Sequence, residues 1–226
     1  MDARTDLPDS EAKRPAAEDA AAPCGRRERE RLRHRREIVE AAERVFVRKG
    51  SQGATVEEIA QEAEFAVGTI YNFFASKDVL YTEVILRIAE NFFEAFQNEV
   101  LETPDPVAAV RALVELRLRH FEQHRGFFRM VFDNVACSRM DPARTLPDIC
   151  RPLFDRYLES VKGIFARGIA AGRFEPADPL HLTLCVDGIT NAFVGYWSRA
   201  EAPCPDQERT EDVVRTVLKA VGAQAD

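Results

Sequence analysis

The side chains with the clearest chemical purpose lie in one short run, Val67-Gly68-Thr69-Ile70-Tyr71-Asn72-Phe73-Phe74. Ile70 and Phe74 stand four apart and face inward, while Thr69, Tyr71 and Asn72 fall on the other side. A hydroxyl, a phenol and a carboxamide on one outward face contribute nothing to a core. They are hydrogen-bonding groups suited to another polar surface. Gly68 costs a helix interior about 1 kcal/mol against Ala. The residue makes sense where a second surface must approach the backbone, and a nucleic acid is one such surface. A short helix presented this way fits the major groove of duplex DNA.

Neighbouring segments supply the frame. Thr55-x-x-Glu58 is a capping box that satisfies two otherwise unpaired backbone donors. Val56, Ile59, Ala60 and Ala63 follow as one apolar stripe, and Phe65 interrupts the polar turn as a plug between two helices. Residues 55–74 therefore read as two short helices about a tight turn. Before them, residues 26–50 hold ten Arg or Lys and five Glu, and Ile38, Ala41, Ala42, Val45 and Phe46 keep helical spacing within that run. Lys49-Gly50 closes this helix with a cation in the last turn and a glycine for the left-handed cap. Three helices so closely spaced form a small helix-turn-helix unit. Ser76 caps a fourth helix over 78–101, apolar around so much of its circumference that it must pack against more than one neighbour. Lys77 in its first turn opposes the helix dipole, a placement suited to a nearby phosphate.

These residues together resemble the TetR family of bacterial transcriptional regulators. The resemblance rests on Ile38-Val-Glu-Ala-Ala-Glu-Arg-Val-Phe46, Lys49-Gly50, Thr55-Val-Glu-Glu-Ile-Ala60, Gly68-Thr-Ile-Tyr71, Phe74 and Ser76-Lys77-Asp78, and spans residues 30 to 95. It implies that Thr55, Tyr71 and Lys77 hold phosphates, while Val67, Gly68, Thr69 and Asn72 face base edges. Asn72 is the candidate for bidentate pairing with adenine, and Val67 for contact with a thymine methyl. Two departures stand out. Glu64 occupies the turn where relatives usually have Gly, and Ala66 stands where Ser or Thr usually caps the recognition helix.

Charge confines the nucleic-acid reading to this region. The 226-residue chain carries a net charge of −7, which argues against a general nucleic-acid coat. Residues 51–101 hold nine acids against two bases. Positive charge concentrates in Arg26 to Arg36, with Arg35 and Arg36 as DNA candidates. That run is either a solvated helix surface or an arm reaching phosphates or a minor groove. Residues 1–27 are rich in Ala, Pro and acids without apolar periodicity and read as a disordered tail. No run approaches a membrane span, and five scattered cysteines suit a reducing cytoplasm. Cys137 or Cys150 is the candidate for a thiol switch, against the commoner case of inert cysteine.

From Thr103-Pro-Asp-Pro106 onward, breaks at Gly126, Asp141-Pro142, Gly172 with Pro176, and Pro203-Cys-Pro205 delimit helices over 106–124, 126–138, 147–171, 178–200 and 207–222. No strand alternation intervenes, so the expected fold is all-α with about nine helices. Its expected divisions are a DNA-binding domain over 28–77, a connecting helix over 78–101 and a carboxy-terminal domain over 102–226. The resemblance assigns that last domain to effector binding and dimerisation. Gly188, Ala192 and Gly195 offer a face of small residues, and the last helix offers Val214, Val217 and Leu218. Paired with symmetry copies they form a four-helix dimer interface, unless both helices simply finish the protomer core. Aromatic residues including Phe93, Phe96 and Phe128 are core or pocket wall, and Arg117, His120, Asn134, Tyr157, Asp187 and Asn191 are polar pocket candidates.

No cofactor is implied. His120 and His124 lie one turn apart, but no third metal ligand is evident and they read as surface or core histidines. No nucleophile–base set, carboxylate pair in a cleft or phosphate loop is legible, so an enzyme is not expected. The resulting expectation is a dimeric cytoplasmic repressor that binds a palindromic operator through 67–74 and is released by a small, largely apolar effector. The alternatives are a helical adaptor or a thiol-responsive regulator.

Overall fold

The computed structural model describes residues 25–134, 147–199 and 206–224. Among the described residues nine α-helices follow one another: α1 Arg26–Gly53, α2 Val56–Glu62, α3 Val67–Phe73, α4 Lys77–Ala95, α5 Pro106–Gln123, α6 Arg125–Asn134, α7 Arg151–Ala170, α8 Pro179–Arg199 and α9 Gln207–Ala220. A π-helical turn, Phe96–Leu101, extends α4, and a 3₁₀ turn, Asp148–Cys150, leads into α7. Among the described residues there is no strand, only one isolated bridge between Phe174 and Ala223. No described helix is long and apolar enough to cross a membrane. The tail expected over 1–27 lies outside the described residues except for Gly25 and the first two residues of α1, Arg26 and Arg27.

Local chemistry explains the boundaries. Gly50 adopts φ 72°, and this break separates the long basic part of α1 from its last residues. The Thr55–Glu58 capping box forms with both hydrogen bonds, at 3.3 and 3.2 Å. Ser76 Oγ accepts from the Val79 amide, Asp105 from Ala108, and Asp206 from Arg209, so α4, α5 and α9 each begin on a side-chain cap.

Two apolar cores meet along α4. The amino-terminal core gathers Ile38, Val39, Ala42, Val45 and Phe46 from α1, Ile59 and Ala60 from α2, Ile70 from α3, and Leu80, Val84, Ile85 and Ile88 from α4. The carboxy-terminal core takes over at Phe93, Phe96 and Val100 and continues through α5, α7, α8 and α9. Two later residues cross back: Phe127 of α6 and Cys150 belong to the amino-terminal core. The adjacent Phe128 packs against the other core.

One expectation about the last helix changes. Val214 and Val217 are completely buried within the protomer, and Leu218 packs partly against the same core. The outward side of α9 carries Glu208, Asp212, Arg215 and Lys219 instead. The valine stripe closes this subunit and does not face outward. On α8, Gly188 and Ala192 are exposed and Gly195 is half-buried. Gly188 and Ala192 extend a ladder of four-residue steps, Leu180, Leu184, Gly188, Ala192 and Tyr196, on which Leu184 is 53% and Tyr196 67% exposed.

Candidate functional site

The outward face of α3 is built as its spacing requires. Ile70 and Phe74 are buried, which leaves Gly68, Tyr71 and Asn72 exposed and Thr69 half-buried. Tyr71 is 51% exposed, unusual for so large a ring. A Cβ placed on Gly68 meets nothing within 4 Å, so nothing inside the subunit demands a glycine there. Val67, expected to face a base edge, also turns part of its surface inward. It is half-buried against the amino-terminal core, because positions 67, 70 and 74 share one helical face.

Two cations expected on phosphates are engaged elsewhere. Lys77 Nζ donates to the carbonyls of Ala54 (3.0 Å) and Gln52 (3.4 Å). The end of α1 leaves carbonyls without intrahelical partners, and this ammonium supplies donors for two in that segment. That contact accounts for a lysine at an otherwise unfavourable helix start. Arg35 lies over the Phe74 ring at 4.8 Å and pairs through Nη2 with Glu83 Oε1 at 2.7 Å, tying α1 to α4. Arg36 stays exposed, and Thr55 is exposed but occupied as a cap.

The acids of α2 are compensated from α1. Arg44 Nε and Arg48 Nη2 reach the two oxygens of Glu62 at 2.7 and 2.6 Å, and Lys49 pairs with Glu58. Hydrogen bonds from Arg48 and Arg44 hold the Glu62 carboxyl below its ordinary range, and those from Lys49 and Thr55 do the same for Glu58. The basic run therefore continues past residue 36 as a brace for α2, while Arg26 to Arg33 lie exposed on the first turns of α1.

A second constellation lies inside the carboxy-terminal core. Arg117 of α5 donates from Nη1 to the Tyr157 hydroxyl (2.7 Å) and to Asp187 Oδ1, and from Nη2 to Asn191 Oδ1 (2.7 Å). Tyr157 of α7 in turn donates to Asp187 Oδ1 at 2.6 Å. Burial disfavours the Arg117 charge, but Tyr157 and Asp187 more than offset it. Burial also pushes the Tyr157 phenol up, so it remains a donor. Around the cluster, Phe96, Phe92 and Phe154 lie 5.2, 5.9 and 6.2 Å from the Tyr157 ring, while His120 lies 5.2 Å from Phe92 and 6.0 Å from Phe128. Burial, and then the neighbouring His124, push His120 down to about 4. Four of the polar residues singled out from the sequence thus form one network, with His120 in its aromatic surround. Phe93 instead lines a surface groove of about 360 Å³ with Leu101, beneath the Arg156 guanidinium. Asn134 ends α6, and its side chain lies outside the described residues.

Both halves match one family. Residues 38–84 match the bacterial regulatory proteins of the tetR family, and residues 106–198 match the tetracyclin repressor-like carboxy-terminal domain. The chain belongs to the TetR family. Its relatives there are transcriptional regulators, not enzymes. The HTH-type transcriptional activator FasR of Mycolicibacterium smegmatis is 31% identical over 100 residues, 44% of this chain and 46% of that protein. The repressor NicS of Pseudomonas putida is 33% identical over 95 residues, 42% of this chain and 45% of that one. The chain thus spans less than half the length of each. The fold is shared with the regulator FadR from Bacillus subtilis, solved with stearoyl-CoA: TM-score 0.67, 18% identity, covering 84% of this chain and 99% of the other.

As a TetR-family reader, the chain bears the marks of both departures noted in its sequence. Glu64 sits at φ 58°, a left-handed conformation that suits glycine and strains a glutamate. Ala66 provides no side-chain cap for α3. The TetR-type halves are also joined outside α4. His124 Nδ1 lies 2.9 Å from Glu43 Oε1 of α1, and Gly126 packs so closely on Val47 that a Cβ there would fall 2.3 Å from a valine methyl. That joint was not foreseen from the sequence; Gly126 had read only as a helix break. Cys150 is buried with its thiol pushed up by burial and by Glu90, unsuited to thiolate chemistry, and Cys137 lies outside the described residues.

Proposed function

We propose that the protein is a dimeric repressor that binds a palindromic operator through α3 and is released by a small, largely apolar effector held in the carboxy-terminal domain. The observation that carries the reading is the outward face of α3: Gly68, Tyr71 and Asn72 are exposed, and Gly68 has open space above it. Thr69, Tyr71 and Asn72 supply the groove contacts, and the braces from Arg44, Arg48 and Lys49 keep the helices behind them rigid. Support for pairing comes from the apolar ladder on α8, where Gly188 also has open space around its missing Cβ. A second copy crossing there places two recognition helices on successive half-sites. Support for an apolar effector comes from the aromatic surround of the interior cluster, and NicS is a named repressor of the family.

Selection of duplexes from a random library at low salt, followed by sedimentation, tests this. An enriched inverted repeat bound by two chains is expected. Gly188→Arg, whose Cβ meets nothing within 4 Å in the subunit, should stay folded, become monomeric and lose operator affinity. Failure of the wild-type protein to enrich any duplex overturns the reading.

A further inference from the structure

Helix α1 runs unbroken from Arg26 to the kink at Gly50 and presents two opposite faces. One carries Glu43 and Val47 against His124 and Gly126, toward the carboxy-terminal domain. The other carries Ile38, Ala42 and Val45 into the amino-terminal core, toward α2 and α3. The helix outruns that core. His34 still touches it, its ring 5.0 Å from Phe65 in the turn before α3, and Arg35 lies over Phe74 just after α3. Every residue from Gly25 to Arg33 is exposed.

These overhanging turns hold five Arg and two Glu, Glu28 and Glu30, over residues 26–33. A solvated helix surface accounts for one side of them: Arg26 pairs with Glu30 at 3.1 Å and Arg33 with Glu37 at 3.6 Å. The other side differs. Arg31 and Arg27 stand seven and eleven residues before Ile38, about two and three whole turns, so they continue the stripe that lower down enters the core. Among the described residues neither has an ion-pair partner. They therefore project on the face turned away from the carboxy-terminal domain, beside the turn that leads into α3. About 10 Å of helix separates Arg27 from His34. Duplex DNA carries one charge per ~1.7 Å of its axis, so a duplex that receives α3 in its groove offers phosphates throughout that reach.

We propose that Arg27 and Arg31 form a second DNA contact, a clamp on backbone phosphates just outside the half-site read by α3, which adds affinity without sequence preference. This deepens the reading of α3 as the groove helix and rests on it. The tetR-family match begins at Ile38, so the clamp lies before the matched residues. His34 on Phe65 and Arg35 on Phe74 fix the overhang relative to both ends of α3, so groove helix and clamp meet the duplex together.

The test uses the full-length protein and the duplex enriched from the random library, once with long flanks and once trimmed to the repeat. Arg27→Gln combined with Arg31→Gln removes both charges from exposed positions, and glutamine sustains a helix, so circular dichroism should be unchanged. On the long duplex this double variant should bind at least tenfold more weakly at low salt. Its slope of log K against log salt should be shallower by about 1.8 per bound chain, the share of two phosphate contacts. Its base preferences across the repeat should stay those of wild type. Trimming the flanks should weaken wild type and leave the double variant nearly unchanged. Arg26→Gln combined with Arg33→Gln removes the same charge from the opposite side of the same turns, and should keep both the wild-type slope and the wild-type response to trimming. A wild-type slope in the Arg27, Arg31 variant, or equal effects of the two double variants, overturns the clamp and leaves the reading by α3 standing. A wild-type protein that enriches no duplex overturns both.

Discussion

Both halves of the molecule carry surface ion pairs between helices, Arg111 with Glu211 and Arg119 with Glu99 among those of the carboxy-terminal domain, but the most buried of the described pairs lies in that domain's interior. In the amino-terminal unit, cations and acids pair across helices at the surface: Arg44 and Arg48 with Glu62, Lys49 with Glu58, Arg35 with Glu83, and Arg87 with Glu40. In the carboxy-terminal domain the central pair, Arg117 with Asp187, is interior. Surface pairs contribute little energy each but fix orientation when several act together. An interior pair costs desolvation and is stable only while complete. The amino-terminal unit is thus held by solvated braces, and the carboxy-terminal domain by an interior pair that is stable only while both partners are present.

The sharpest break of this contrast comes from cutting one pair of each kind. Arg117→Ala should destabilise by about 3–5 kcal/mol, since Asp187 is left buried without its counter-ion. Arg48→Ala, half-exposed, should leave the melting curve nearly unchanged. Urea titrations of both variants check this. Equal losses would dissolve the distinction between the halves.

Acid sharpens the comparison next. His120 titrates near 4 in the fold against about 6.5 when unfolded, so between those values the unfolded chain binds more protons. Stability present above pH 6.5 is therefore lost as pH falls toward 4, by roughly 3 kcal/mol for this group. His120→Gln should flatten that part of the curve relative to wild type. The slope belongs to the carboxy-terminal interior, since Glu58 and Glu62 are stabilised as carboxylates and lose their support only at lower pH.

The joint between the halves comes third. Gly126→Ala forces its methyl against Val47, and overpacking of this kind costs about 1–3 kcal/mol. A Val47→Ala partner substitution should recover most of the loss, as a double-mutant cycle by thermal denaturation would show. Additive effects would remove the contact between α6 and α1 from the account.

How much of this was legible follows from which interactions are local. The stripe from Ile38 to Phe46, the Thr55–Glu58 box and the split of α3 into inward and outward faces all follow from spacing within a few turns, and each is present. Arg117, Tyr157, Asp187 and Asn191 stood out as polar residues among apolar ones, but their mutual contacts join positions up to 74 residues apart. The partners of Lys77 and Arg35 within the subunit were not legible, because sequence shows that a charge exists, not which carbonyl or ring it meets. Val214 and Val217 were misplaced for a related reason: periodicity shows that a face is buried, not whether its cover is the same chain or another. Phe127 and Phe128, adjacent and committed to different cores, show the same limit most sharply.

Gly68→Ala separates folding from reading. Alanine should stabilise α3 by up to about 1 kcal/mol, since the added methyl meets nothing in the subunit. On the proposed reading the same methyl stands where DNA approaches, so operator affinity should fall while the melting temperature rises. Gel shifts and calorimetry on one preparation check both signs, and unchanged affinity would move the groove contact away from this residue.

The smallest change is expected at Glu64. Its φ of 58° carries a steric cost of about 1–2 kcal/mol for a residue with a Cβ. Glycine removes that cost but loses about 0.5–1 kcal/mol through the greater freedom of the unfolded chain. The net gain for Glu64→Gly is therefore about half a kcal/mol, visible in calorimetry as a small upward shift. Glu64→Ala keeps the Cβ and should show no such gain, although it removes the same charge. If the alanine variant gains as much as the glycine variant, the acid was repelling its neighbours on the turn and the backbone was not the source of strain.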